Sequence, residues 1–185
     1  MKYFKLTVAQ TEMDHERLGV HNLISLFGGF AIAFGVALTS GFWYGLIPRD
    51  LNWNASQTVL LLHLAAGLMA TILLPAFYVL HQRHKDQPLS LLLTPWRLRP
   101  QADESAQRYR QRCLGHLLTW CLLLVFGSGL LIAVPGLLFY LGLVWMQGYY
   151  LVQSLVWLHL WSSVLLLPLL FTHLLWIAGK GEDAR

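Results

Sequence analysis

Long apolar segments alternate with shorter polar ones along this chain. Four of the apolar segments are long enough to cross a bilayer as helices, and they cover about residues 21–46, 58–80, 113–134 and 151–177. Little chain is left between them. The pattern therefore predicts an all-α integral membrane protein, a single membrane domain over residues 1–185 with four transmembrane helices in an up-down bundle. No short apolar core precedes the first segment, so we expect no cleaved signal peptide.

The basic residues predict the orientation of these helices. Twelve of the 13 Lys and Arg residues lie before the first segment, between the second and third, or after the fourth, and only Arg49 lies in another loop. Because basic loops stay on the cytoplasmic side, we expect both termini and the loop of residues 83–112 in the cytoplasm, in a multi-pass protein of the bacterial inner membrane. The net charge of +4 reflects this bias. With 56% hydrophobic and 12% charged residues, the chain leaves no basic soluble module for nucleic acid.

The two cysteines offer neither a disulfide nor a covalent heme link. Cys113 and Cys121 are eight residues apart on one predicted helix, too far for a disulfide, which needs Cα atoms within about 7 Å. The chain contains no CxxCH motif for c-type heme. We expect both thiols to be small buried side chains.

Two histidines in the fourth segment carry the candidate chemistry. His159 and His173 are fourteen residues apart, which places both imidazoles on nearly one helix face, about 21 Å apart along the axis. An imidazole in the hydrocarbon region needs a partner, and a metal is among the best. Two such residues at two depths favour two b-type hemes, one above the other.

Two further histidines match these depths. His63 lies near the non-cytoplasmic end of the second segment, level with His159, and His21 lies at the cytoplasmic end of the first segment, level with His173. We expect these two pairs to be the axial ligands of the two heme irons. His81 and His84 compete with His21 for the cytoplasmic level, although their spacing from His63 fits less well.

Other polar residues suggest contacts to the cofactor and to quinone. Arg17 and Arg49 are candidates to pair with heme propionates, unless they only extend to the headgroups as ordinary interfacial arginines. His116, Tyr109 and Arg112, at the start of the third segment, are candidates for a quinone site. A zinc enzyme finds no support, because no Asp or Glu lies within a segment and HExxH is absent.

This histidine pattern resembles a family of four-helix, di-heme cytochromes b. The family includes the gamma subunits of formate dehydrogenases, the cytochrome b subunits of Ni-Fe hydrogenases and the bacterial cytochrome b-561 proteins. The similarity rests on Arg17 with His21 in the first segment, His63 in the second, and the H-x13-H pair His159 and His173 in the fourth. It implies a heme on the periplasmic side held by His63 and His159, and a second on the cytoplasmic side held by His21 and His173. The first helix departs from the family in reading R-x-x-x-H-N where R-x-x-H-W is usual.

The resemblance implies an electron-transfer subunit of an oxidoreductase complex. Such a subunit carries electrons between a periplasmic Fe–S or c-type cytochrome partner, of a dehydrogenase, hydrogenase or reductase, and the quinone pool. Two alternatives are a stand-alone cytochrome that passes electrons from superoxide to quinone, and a heme-free transporter or assembly factor.

Overall fold

Four long helices account for most of the chain. In the computed structural model they are α1 (Lys2–Leu46), α2 (Trp53–His84), α3 (Ala106–Tyr140) and α4 (Tyr149–Gly179), and a 3₁₀ turn (Leu89–Leu92) precedes α3. The structure describes the backbone of residues 2–47, 53–84, 87–94, 98–100 and 104–179, and the side chains of those from residue 23 to residue 176. Within these ranges no strand is present.

Each helix contains a segment long and apolar enough to cross a membrane, so the prediction of four apolar spans is confirmed. The helices extend beyond the predicted spans. At 35 residues, α3 is about 52 Å long, whereas a hydrocarbon core is about 30 Å thick. The apolar pattern marks only the part of a helix suited to lipid, because polar residues such as Arg and Gln continue a helix equally well.

The chain divides into two compact units, residues 1–88 and residues 89–185. In the first unit α1 packs along α2, and we refer to this pair as the first hairpin. In the second unit α3 packs along α4 to form the second hairpin. Alanines and phenylalanines dominate the buried positions of α1, whereas those of α3 include the free thiol of Cys121, which donates to the Ser162 carbonyl at 3.2 Å.

Pro135 lies inside α3. The sequence predicts that Pro135–Gly136 interrupts this helix, because proline lacks an N–H, and that prediction was wrong. A proline has no N–H, and its presence leaves the carbonyl of Leu131, four residues earlier, without its usual helical donor. The Gln147 side chain, in the segment between α3 and α4, donates from Nε2 to that carbonyl at 2.9 Å. This side chain replaces the missing hydrogen bond, and α3 continues for another turn to Tyr140.

The start of α3 has the capping residue that the sequence suggests. We expect Asp103 or Ser105 as the N-cap. The Ser105 backbone is extended, with φ −65° and ψ 149°, and its hydroxyl accepts from the Arg108 N–H at 3.3 Å. Ser105 is therefore the N-cap, and Asp103 lies outside the described residues.

Candidate functional site

His63, on α2, is held by the backbone of α1. Its Nδ1 lies 2.8 Å from the carbonyl oxygen of Ala37. The ring can come this close because the residue one turn further along α1 is Gly41. A Cβ at Gly41 would lie 2.7 Å from Cε1 of His63 and 2.9 Å from Nδ1, closer than van der Waals contact allows.

His159, on α4, has the same arrangement in the second hairpin. Its Nδ1 lies 2.9 Å from the carbonyl oxygen of Val125 on α3. One turn further along α3 is Gly129, where a Cβ would lie 2.9 Å from Cε1 of His159. The hydroxyl of Ser128 lies 3.3 Å from the same Nδ1. In each hairpin one histidine therefore packs against a glycine of the neighbouring helix and hydrogen-bonds to a backbone carbonyl of that helix. We call this arrangement the histidine seat.

A serine precedes the glycine in both hairpins and makes the same contacts. Ser40 donates to the carbonyls of Val36 and Ala37 at 2.6 and 3.1 Å. Ser128 donates to the carbonyls three and four residues before it at 3.1 and 2.5 Å. The chain has only two Ser-Gly dipeptides, one on α1 and one on α3. This recurrence was a usable sequence signal for the two histidine contacts, and sequence analysis missed it.

The hydrogen bond to a carbonyl determines which ring nitrogen carries the proton. A carbonyl oxygen only accepts, so the Nδ1 atoms of His63 and His159 must donate. In the neutral ring Nε2 then carries the lone pair. This assignment rests on geometry, and it gives both histidines the tautomer in which Nε2 can act as a metal ligand.

The two hairpins differ in the residue that lies fourteen positions after each of these histidines. In the second hairpin the His173 ring lies beside Gly115, 3.9 Å from where a Cβ would be. The matching positions of the first hairpin are Phe27 and Phe77, whose ring centroids are 5.6 Å apart. The same register brings these positions together in both hairpins. Neither of these two matching positions in the first hairpin is a histidine.

The Nδ1 atom of His173 is buried and has no hydrogen-bond partner. This Nδ1 is therefore not held by a backbone carbonyl, in contrast to those of His63 and His159. Of its predicted competitors in the first hairpin, His81 is partly buried and stacks on Phe77 at 5.6 Å, and His84 is exposed.

Three predicted residues lie outside the part of the chain whose side chains are described. They are Arg17, His21 and Arg49. The predicted heme pairs would each join one hairpin to the other, so the pairing of His63 with His159 and of His21 with His173 stays a prediction.

The three candidates for a quinone site form part of the second hairpin. Tyr109 donates from its hydroxyl to the Leu98 carbonyl at 3.4 Å. Arg112 donates from Nη2 to the Arg99 carbonyl at 2.7 Å and to the Glu104 carboxylate at 2.6 Å. His116 is buried one turn after Arg112. These contacts hold the chain before α3 against the first turns of the helix.

Among the described residues no three His, Cys, Asp or Glu side chains lie close enough to hold a bare metal ion. A heme iron needs only two ligands from the protein, one imidazole on each side, because the porphyrin supplies the remaining ligands.

Comparisons with known proteins identify no relative. No protein-family model, no curated protein and no solved structure matches the chain.

Proposed function

We propose that the protein is a di-heme b-type cytochrome subunit of the inner membrane, which transfers electrons between a periplasmic redox partner and the quinone pool. The observation that carries this proposal is the repeated seat of His63 and His159. Two histidines on different hairpins share one tautomer and the same type of glycine contact. A histidine with a purely structural role would not need to recur in both hairpins with the same contacts.

The two histidines fit the requirements of axial heme ligands. Metal-bound imidazoles usually donate their second nitrogen to a carbonyl or carboxylate, which orients the ring and raises its basicity. Ala37 and Val125 provide that carbonyl here. When bound, a heme with two imidazoles supplies one-electron redox chemistry with no open position on iron. The protein's part is to orient the rings and keep the cofactor in a low-dielectric setting.

The second hairpin also offers a ligand at a second depth. His173 is fourteen residues from His159 on α4, and Gly115 leaves room beside its ring. In the resemblance to di-heme cytochromes b, His21 of the first hairpin completes this level. Phe77, at the position of the first hairpin that matches His173, is packed against Phe27 and Phe30 at 5.6 Å from each. A ligand for this level therefore comes from another position of that hairpin.

The charge distribution supports the orientation. No Asp, Glu, Lys or Arg occurs between Arg112 and Lys180, a stretch that contains nearly all of α3 and α4. The basic ends of this stretch belong in the cytoplasm by the positive-inside rule, which places His159 and His63 toward the periplasm. That side is where an extrinsic electron-transfer partner would act.

Optical spectroscopy of the purified protein tests the heme proposal. We expect b-type absorption bands on dithionite reduction, with two hemes per chain. His159→Ala should lose one heme and keep the other, and Gln107→Ala, at an exposed position of α3, should keep both. A wild-type protein without b-type bands, or a His159→Ala variant that keeps two hemes, would contradict the proposal.

Co-purification tests the proposed partner. We expect an Fe–S or c-type cytochrome subunit to accompany the protein from its native membrane in mild detergent. A pure, solitary cytochrome that reduces quinone would contradict the role as a subunit while leaving the heme assignment intact.

A further inference from the structure

Ser128 makes two kinds of contact at the histidine seat of the second hairpin. Its hydroxyl donates to the Leu124 carbonyl at 2.5 Å and to the Val125 carbonyl at 3.1 Å. Its oxygen also lies 3.3 Å from Nδ1 of His159. The first contact is common in membrane helices, where a serine hydroxyl often bonds to the backbone one turn earlier. The second contact joins α3 to a ring on α4.

The direction of the contact to His159 follows from the available hydrogens. A serine hydroxyl has one hydrogen and two lone pairs. The hydrogen of Ser128 is directed to the backbone of α3, and the shortest distance is to the Leu124 carbonyl. Nδ1 of His159 carries a hydrogen, because it lies 2.9 Å from the Val125 carbonyl, which only accepts. This N–H is therefore shared between two oxygen atoms, the Val125 carbonyl and the Ser128 hydroxyl.

Both acceptors are buried between α3 and α4. Ser128 is 3% exposed and Val125 is 6% exposed. Because the local dielectric is low at buried positions, hydrogen bonds there are stronger than in water. The close approach of the ring to Gly129 keeps the His159 imidazole beside these two oxygens.

The two acceptors on Nδ1 change the chemistry of the other ring nitrogen. Each acceptor draws the Nδ1 hydrogen away from the ring, which makes Nε2 of His159 a more basic ligand. A more basic ligand stabilises oxidised iron, which is more positively charged, relative to reduced iron. Hydrogen bonding to an axial ligand is accordingly one of the means by which a protein sets a heme potential.

We propose that Ser128 is a positioning residue that acts through His159 and lowers the reduction potential of the heme bound there. The effect on a potential rests on the proposed function, whereas the sharing of the His159 N–H rests on the contacts within the second hairpin. The hydroxyl hydrogen of Ser128 weakens this effect only slightly, because it lies closer to the Leu124 carbonyl than to the Val125 carbonyl.

Potentiometric titration of the purified full-length protein, followed by its b-type absorption bands, tests this inference. Ser128→Ala removes the hydroxyl acceptor. It should raise the Fe(II)/Fe(III) ratio of one heme about threefold at a fixed ambient potential, which is about 30 mV for a one-electron couple. The second heme should keep its potential. Ser128→Cys, with a weaker acceptor at the same position, should shift the same heme in the same direction.

Thr58→Val is the control for the loss of a helical hydroxyl. The Thr58 hydroxyl donates to the Asn54 carbonyl at 3.0 Å, at an exposed position of α2. Valine has the same shape as threonine without the hydroxyl. Both potentials should therefore remain those of the wild type in this variant.

The outcomes separate this inference from the heme proposal. A Ser128→Ala variant with two b-type hemes and unchanged potentials, or with both potentials shifted equally, would overturn the inference and leave the heme proposal intact. A lowered potential would also overturn it, because the main effect of the hydroxyl would then be on the Val125 carbonyl. If Ser128→Ala loses a heme, Ser128→Cys decides the matter, and loss of the heme in both variants would show a structural role instead. A wild-type protein without b-type bands would contradict both proposals.

Discussion

The glycine beside each histidine can be tested with an unusually close control. Gly127 and Gly129 lie two residues apart on α3, and only Gly129 faces the His159 ring. A Cβ at Gly129 would lie 2.9 Å from His159 Cε1, whereas a Cβ at Gly127 would meet no atom within 4 Å. Gly129→Ala should therefore displace the ring, and Gly127→Ala should not.

The size of the effect follows from these distances. Carbon atoms pack at about 3.5 Å or more, so the Gly129→Ala methyl moves the ring by about 0.6 Å and stretches its bond to the Val125 carbonyl to the limit of a hydrogen bond. The weakened bond to a buried donor costs about 1–3 kcal/mol. Replacing a helical glycine by alanine also stabilises the helix by up to about 1 kcal/mol, and this gain is the same in both variants. Gly127→Ala should thus be more stable than Gly129→Ala by about 1–3 kcal/mol.

Unfolding of the purified protein by SDS in mixed micelles, followed by far-UV circular dichroism, measures this difference. The corresponding change in the first hairpin, Gly41→Ala, should cost more, because the methyl would lie only 2.7 Å from His63. Equal free energies of unfolding for Gly127→Ala and Gly129→Ala would refute the account of the histidine seat given above.

Two further predictions concern the ends of α3. Gln147→Leu should destabilise the protein by about 1 kcal/mol, because it removes the donor to the Leu131 carbonyl. In a Pro135→Ala background a backbone N–H is restored, so the same change should cost much less. Additive effects of the two substitutions in this double-mutant cycle would contradict the proposed role of Gln147. Ser105→Ala should lower the free energy of unfolding by about 1 kcal/mol in the same SDS assay, and Ser105→Asp, another good N-cap, should retain it; an equal loss in both variants would show that the hydroxyl contact to Arg108 N is unimportant.

The sequence was sufficient for the four long apolar helices, because lipid demands long apolar segments and few other patterns produce them. It was insufficient for the course of α3 through Pro135. The proline rule assumes that the freed carbonyl finds no other donor, and the donor here is Gln147, twelve residues after the proline and outside the helix. A side-chain contact between residues this far apart does not show in the periodic pattern of apolar residues.

The candidate histidines were identified from spacing, but their surroundings were not. The sequence predicts that Gly28, Gly35 and Gly67 leave room for a porphyrin beside their own helices, and in the structure a Cβ at any of them would meet no atom within 4 Å. The glycines that contact histidines are Gly41 and Gly129, which belong to the neighbouring helix in each case. Sequence spacing relates residues on one helix, whereas the register between two helices depends on side-chain packing across the hairpin.

The carbonyls that accept from Nδ1 of His63 and His159 belong to the helix that immediately precedes each histidine in the chain. This has a consequence for biogenesis. Each hairpin contains the groups that set its own imidazole, so the first hairpin can orient His63 once α2 has entered the membrane, while the second hairpin is still being synthesised. Neither imidazole then needs a group from the other hairpin to fix its tautomer, and the order of translation orients the two rings one after the other.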